Sequence, residues 1–366
     1  MPLRVAVIGC GRLGGFHAQK LAHMANVELV GVADPLAANR DRLAAELHTT
    51  PYASHQALLG CIDAAVIASP TALHHPLAVD LLEAGTHLLI EKPICTTVTE
   101  ADELVELARR QQLVLQVGHV ERFNPALAAA TPHARNPKYI EAVRASNFTF
   151  RSMDVGVVLD LMIHDIDVVL SLVRSPLQSV EALGMAILGG HEDVAHARLE
   201  FQSGCVANLS ASRVSYEAAR KMQIWASRAY ASIDFGARTT TLVRPSESLL
   251  RGEFRADRLA PEQVEHYKTH LAEEHLPRQQ QTFDAVDALA LELQDFVDSV
   301  LSARQPRVTG EAGRDALVVA EQVLASIANR TRDRGLQPAT PYPRIVPAPH
   351  FDVAAIERMQ TERKAG

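Results

Sequence analysis

The chain has 366 residues, 47% hydrophobic and 22% charged, a composition typical of a globular protein and a length that suits about two domains. A net charge of −7 with no basic stripe argues against general affinity for nucleic acid or anionic membrane, and apolar runs such as Ala64 to Ala68 are far too short to span a bilayer. Four widely spaced cysteines, Cys10, Cys61, Cys95 and Cys205, argue against a disulfide framework or a cysteine zinc site and are expected to be reduced thiols.

At the N-terminus a single Arg leads straight into an apolar strand pattern without a signal-peptide core, so a cytoplasmic location without membrane insertion is expected. The strand from Arg4 passes through Gly9-x-Gly11-x-x-Gly14, with Arg12 and Leu13 inside the turn, into a helical pattern ending near Ala25. A strand before and a helix after are the setting in which such glycines let the backbone approach a pyrophosphate. The next strand, Val27 to Ala33, ends in Asp34, whose carboxylate can accept ribose hydroxyls and would repel a 2′-phosphate; the expected cofactor is therefore NAD. Arg40 could accommodate a 2′-phosphate, but it reads as a solvated helix residue.

The alternation continues with a buried strand from Ala64 to Ser69, a helix from Leu77 to Ala84, a stop at Gly85 and a strand from His87 to Ile90. Ser69, Pro70 and His74 are expected to shape the cofactor side. Glu91-Lys92-Pro93 sits at a strand's C-terminal end, the edge of a parallel sheet where ligands bind, so Lys92 can reach the nicotinamide end of a bound dinucleotide. Glu91 is expected to position Lys92. A further strand, Leu113 to Val117, brings His119, Arg122 and Asn124 out at the same edge. Arg122 suits a phosphate, whereas Asn124 with Pro125 equally reads as a helix start. His17 and His75 read as structural.

From Tyr139 the pattern changes to strands joined by short turns: Tyr139 to Phe150, Ser179 to Ile187, Ala195 to Phe201, Cys205 to Arg213, Lys221 to Ser227, Ala231 to Phe235 and Thr239 to Val243. The expected fold class is α/β, with an N-terminal Rossmann domain (1–125) followed by an α/β domain (126–335) built on a large, mostly antiparallel open sheet. One face of such a sheet can take a partner subunit, so a homo-oligomer, dimer or tetramer, is expected. Leu250 to Gln281 reads as charged and irregular; Phe283 to Ala303 and Glu311 to Arg330 read as amphipathic helices able to pack on either domain. Residues 336–366 read as a Pro-rich arm.

Within Val157 to Asp167, the residues Asp160, His164 and Asp167 recur at helical spacing in an apolar run. Such groups must find partners once they lose water, which fits either an active site or a buried polar cluster. No further His or Cys cluster lies close enough in sequence to complete a metal site, so no metal is expected. Asp167 reads as a cap or salt-bridge partner, and Arg213 as a weaker candidate for substrate phosphate.

Taken together, Gly9-x-Gly11-x-x-Gly14, Pro70-x-x-x-His74, Glu91-Lys92-Pro93 and Asp160-x-x-x-His164-x-x-Asp167 resemble the Gfo/Idh/MocA oxidoreductases across residues 3 to 332. The resemblance implies that Lys92, Asp160 and His164 are catalytic. Either Lys92 or His164 would be the base; His164 is assigned that role and Lys92 that of the hydrogen-bond donor, with the reverse left open. A glycine-rich segment that often precedes the family's Asp is reduced here to Gly156. The stretches Val117 to Ala126, Val158 to Asp167 and Ala197 to Ser215 are similar to a narrower branch, the UDP-N-acetylglucosamine 3-dehydrogenases. That likeness implies oxidation of the 3-hydroxyl of a UDP-sugar to a ketone, which a sugar aminotransferase then aminates on the way to lipid A. Another sugar or a cyclitol, or a non-catalytic NAD-binding regulator, are the alternative readings.

Overall fold

A computed structural model describes residues 2–150 and 155–333, and the chain divides into two compact units. The first comprises the residues up to Val120 together with Leu289–Val318; the second comprises Glu121–Ala288 and the described residues from Val319 onward. The Pro-rich arm expected at 336–366 lies outside the described residues.

The first unit runs β1 (Leu3–Ile8), α1 (Arg12–Leu21), β2 (Val27–Ala33), α2 (Ala37–Leu47), β3 (Thr50–Tyr52), β4 (Ala64–Ile67), α3 (His74–Glu83), β5 (His87–Glu91), α4 (Val98–Arg110) and β6 (Leu115–Gly118). Its six strands form a wholly parallel sheet in the order β3-β2-β1-β4-β5-β6. Helices on both faces require apolar residues on both sides of each central strand, and Val5, Ala6, Val7, Ala65, Val66 and Ile67 are all fully buried. Strand order reverses between β1 and β4, which opens a crevice at their C-terminal ends, just where Gly9 and Ser69 follow. Helix α4 was not assigned from sequence. Its start carries a capping box, in which Thr97 Oγ1 accepts from Glu100 N at 3.2 Å and Glu100 Oε2 accepts from Thr97 N at 3.0 Å.

The second unit contains α5 (Pro125–Ala130), β7 (Pro137–Ala145), α6 (Ile163–Val173), β8 (Leu177–Met185), β9 (Val194–Phe201), β10 (Val206–Ser212), β11 (Ala219–Ala226), β12 (Tyr230–Asp234), β13 (Thr239–Val243), α7 (Glu247–Leu250), α8 (Pro261–His275) and β14 (Arg278–Thr282). Its eight strands run in the order β14-β13-β12-β11-β7-β10-β9-β8. Every pairing is antiparallel except β7 with β10. Period-two patterning divides the faces: Ala195, Ala197, Leu199 and Phe201 of β9 are buried, while His196 and Arg198 are exposed. Helices α5 and α6 pack on the sheet.

Two expectations need correction. Strand β7 ends at Ala145 rather than Phe150. The segment Leu250 to Gln281 is ordered: it holds the fifteen-residue helix α8 and the edge strand β14. Both are almost wholly exposed and polar, so no burial periodicity marks them.

Two further helices follow, α9 (Ala288–Leu301) and α10 (Gly310–Asp333). Leu293, Phe296 and Val297 of α9 join the core of the first unit with Val5, Leu21 and Val66. Among the described residues, no helix is long and apolar enough to cross a membrane.

Candidate active site

In the first unit, the glycine turn has the shape a dinucleotide needs. Gly9 has φ +98°, and a Cβ there would lie 2.6 Å from Ala68 O; one on Gly14 would lie 1.8 Å from Gly9 O. Both positions therefore require glycine for the strand-to-helix turn to close. Gly11 differs, since a Cβ would meet nothing within 4 Å, and this open space lies at the N-cap of α1. A helix N-terminus, with its backbone N–H groups and the positive end of its dipole, is the setting that suits a pyrophosphate. Arg12 and Leu13 are exposed beside it.

A cavity of about 630 Å³ adjoins the turn and is lined by Gly9, Gly11, Asp34, Leu36, Ser69 and Pro70. Asp34 is buried at the end of β2, where its carboxylate accepts from Cys10 N at 2.7 Å and from Leu36 N at 2.8 Å. It thus ties the glycine turn to the second strand and presents a carboxylate in the cavity wall, the group that suits a ribose diol. His55 and Asp80, bonded at 2.8 Å, line the same cavity. Sequence reading missed both, because no spacing links a loop after β3 to helix α3. Cys10 is inert as a nucleophile, as burial pushes its thiol up to about 12.

His74 is buried at the start of α3, and its ring nitrogens lie 2.9 Å from Ser69 O and 2.9 Å from Pro93 O. It staples the ends of β4 and β5 together beneath the cavity. Burial holds this ring below its ordinary pKa, and a neutral ring donates to one of the two carbonyls.

Lys92 is half-buried at the end of β5, and its backbone N donates to Glu91 Oε2 at 3.3 Å. Glu91 Oε1 accepts from Nε2 of His17, on α1, at 2.7 Å, and both side chains are buried. Burial alone would raise the Glu91 carboxyl, but the His17 bond and charge, with Lys92 beside it, hold it below the usual range. Gly118 leaves room for this carboxylate, since a Cβ there would lie 2.9 Å from it. His17 is therefore the partner that fixes the loop carrying Lys92. His119 is buried at the end of β6.

In the second unit, residues Val158–Met162 form a π turn that runs into α6. Such wide turns are rare and concentrate at functional sites. Asp160 and His164 are half-buried, whereas Asp165 and Asp167 on the same helix are buried, so the helix divides between an accessible pair and a structural pair. Asp167 Oδ1 accepts from Arg122 Nη1 at 3.2 Å. Asp165 takes a two-pronged bond from Arg144, at 3.0 and 2.8 Å, and Arg144 also donates to Glu121 at 2.8 Å. Burial works against the Arg144 charge, but the two carboxylates outweigh it and keep the guanidinium protonated. Sequence reading missed this network, although Arg144 has the inward parity of Ile140 and Ala142 in β7, an unusual place for a charge.

Asn124 is buried and its amide is committed. Oδ1 caps α5 by accepting from Ala126 N at 3.1 Å, and Nδ2 donates to Glu121 and to Phe235 O at 3.2 Å each. Arg213 is likewise buried, donating to Asp193 at 2.7 Å and to Val155 O at 2.8 Å. Among the described residues no group of His, Cys, Asp and Glu could hold a metal ion.

Comparison with known proteins agrees with this fold. Residues 3–119 match the family model described as "Oxidoreductase family, NAD-binding Rossmann fold", and residues 127–232 match that of the GFO/IDH/MocA C-terminal domain. The chain is 37% identical to UDP-N-acetylglucosamine 3-dehydrogenase of Acidithiobacillus ferrooxidans over 326 residues, covering 89% of this chain and 97% of that protein. A solved structure of that enzyme superposes with a TM-score of 0.77 at 36% identity, covering 90% of this chain and 99% of the other. The NAD(+)-dependent scyllo-inositol 2-dehydrogenase of Bacillus subtilis is 29% identical over 232 residues, covering 58% of this chain and 68% of that enzyme. Levoglucosan dehydrogenase, solved with NADH and levoglucosan, shares the fold at a TM-score of 0.76 and 16% identity, covering 90% of this chain and 98% of that one.

Proposed function

The chain belongs to the Gfo/Idh/MocA family of NAD-binding oxidoreductases, and from that premise we propose that it oxidises the 3-hydroxyl of UDP-N-acetylglucosamine to the 3-keto sugar. The observation that carries this reading is the 37% identity to an enzyme of that activity over 89% of the chain, which includes the second unit as well as the cofactor fold.

In the proposed reaction, residues of the glycine turn, Gly9, Gly11, Arg12, Leu13 and Gly14, hold the NAD pyrophosphate, and Asp34 takes the ribose hydroxyls. Ser69, Pro70 and His74 shape the cavity wall, and Glu91 positions Lys92. NAD supplies the hydride acceptor when bound. Removing a hydride from a secondary alcohol also requires removal of the hydroxyl proton, and a ring nitrogen of His164 accepts it. The Lys92 ammonium donates a hydrogen bond to the sugar oxygen, offsetting the negative charge that develops there. Asp160, one turn before His164, orients the imidazole and the sugar by charge-assisted hydrogen bonds. Arg122 pairs its guanidinium with the substrate diphosphate, and His119 lines the substrate side. Asn124 acts from beneath, fixing the segment that carries Arg122.

The 3-keto product is an electrophile suited to amination, so a sugar aminotransferase is the proposed next enzyme. A second copy of the chain is the proposed partner for the outer face of the eight-stranded sheet, where the rings of Tyr139, Trp225 and Tyr230 meet tilted at 5.1 Å centroid spacings and stay half-buried. Light scattering on the purified protein tests that point, a monomer being the contrary result. For the activity, purified protein is incubated with NAD⁺ and a panel of UDP-sugars, and products are read by mass spectrometry. The expected result is loss of two hydrogens from UDP-N-acetylglucosamine; no turnover of any UDP-hexose contradicts the proposal.

A further inference from the structure

Gly156 and Glu192 are thirty-six residues apart in sequence and share one space. A Cβ on Gly156 would lie 2.0 Å from Glu192 Oε1 and 2.2 Å from Oε2, so the volume of a side chain at 156 is filled by the Glu192 carboxyl. Glu192, in the β8–β9 connection, is 3% exposed. Its Oε1 accepts from Val158 N at 3.1 Å, and its backbone O accepts from Val157 N at 2.9 Å. One residue from another element thus closes two of the free N–H groups at the start of the helical segment.

The next residue holds the same segment from the other side. Asp193 is fully buried and accepts from Arg213 Nε at 2.7 Å, while Arg213 Nη1 donates to Val155 O at 2.8 Å. Asp193 Oδ2 also accepts from Ile187 N and Leu188 N, each at 2.7 Å, which fixes the connection from which both acids project. Residues 155–158 are therefore gripped at the entry to the π turn that carries Asp160. A π turn is wider than an α turn and persists only where its surroundings hold it.

We propose that Glu192 is a positioning residue for the reaction: its carboxyl, seated in the space left by Gly156, sets the π turn and thereby the orientation of Asp160 and His164. The proposal rests on the reading of Asp160 and His164 as reacting groups. It accounts for a single glycine at 156, since one residue must lack a side chain to admit the carboxyl.

The test is a double-substitution cycle in the UDP-N-acetylglucosamine assay, combined with hydrogen exchange of the peptide 156–164 in the absence of sugar. Glu192→Ala and Gly156→Ala are each expected to lower kcat by about 10–100-fold, the scale of a displacement of about 1 Å, with KM for NAD unchanged. Glu192→Gln keeps an accepting oxygen and the volume, and is expected to restore most of kcat. The double variant is expected to be no slower than Glu192→Ala alone, because the added methyl enters the vacated space. Exchange is expected to quicken in both Ala variants and to stay native in Glu192→Gln. Native kcat and native exchange in a folded Glu192→Ala protein, or strictly additive losses in the double variant, overturn the proposal. If Glu192→Ala fails to fold, the Gln variant and Gly156→Ala decide it. Failure of the catalytic reading is distinct: it appears as undiminished turnover in His164→Ala, whereas the exchange measurement reports on the Glu192 cap regardless of substrate.

Discussion

Lys92 leaves β5 over a carboxylate that His17 grips at 2.7 Å, so its ammonium can be removed while the pocket beneath it stays intact. Lys92→Ala and His164→Ala are each expected to bind NAD within a few-fold of the native protein by titration and to lose turnover by about 10²–10⁴-fold, the usual contribution of a proton-handling group. Equal activity in both variants would refute the assignment. The His17–Glu91 pair behaves differently. Removing His17 takes away the main partner of a buried carboxylate, and His17→Ala is expected to cost about 3–5 kcal/mol in urea unfolding. Because the folded Glu91 pKa lies below its ordinary value, the stabilisation from its ionised form is complete above the ordinary carboxylate range and is lost as pH falls through the folded value. The stability gap between native protein and Glu91→Gln should therefore be widest near neutral pH and close in acid. Lys92, Asp160 and His164 stand out in the sequence as candidates because chemistry-bearing residues lie at a strand end or in an apolar run. Glu192 and Arg144 were not, since their partners lie on other elements far along the chain.

At the scale of elements, the glycine turn is the clearest case in which local sequence dictates function. Gly14→Ala would drive a methyl into Gly9 O and spread the turn from which α1 presents its N–H groups. NAD affinity should fall by at least about tenfold in a calorimetric titration, while the sheet remains folded; undiminished binding would show that the pyrophosphate does not sit there. The Glu192 carboxyl is shifted in the opposite direction to Glu91, because burial raises it although the Val158 N–H and the nearby His191 and Arg213 pull it down. A raised acid destabilises the fold as pH climbs above its ordinary value, so Glu192→Gln should gain stability relative to native protein as pH rises from acid toward neutrality. Strands β1, β2 and β5 were readable as apolar runs ended by glycine or an acid, and β4 as one ended by Ser69-Pro70. Helix α8 and strand β14 were not, because residues that bury nothing carry no periodicity. Helix α4 carries its signal in Thr97-x-x-Glu100, the pattern of its capping box.

For the whole molecule, a parallel sheet with a crevice at its switch point and a mostly antiparallel sheet bearing a polar helix face are what the alternation and period-two patterns foretold. The participation of α9 in the first core was not deducible, since an amphipathic pattern states that a helix buries a face and not against what. The central claim concerns one bond, the C3–H of the sugar. It is tested most directly with UDP-N-acetylglucosamine deuterated at C3 and unlabelled NAD⁺, followed by mass spectrometry and NMR of the reduced cofactor. The account predicts deuterium at C4 of the nicotinamide and a slower turnover than with unlabelled sugar. Unlabelled NADH, or no reduction of NAD⁺, would contradict it.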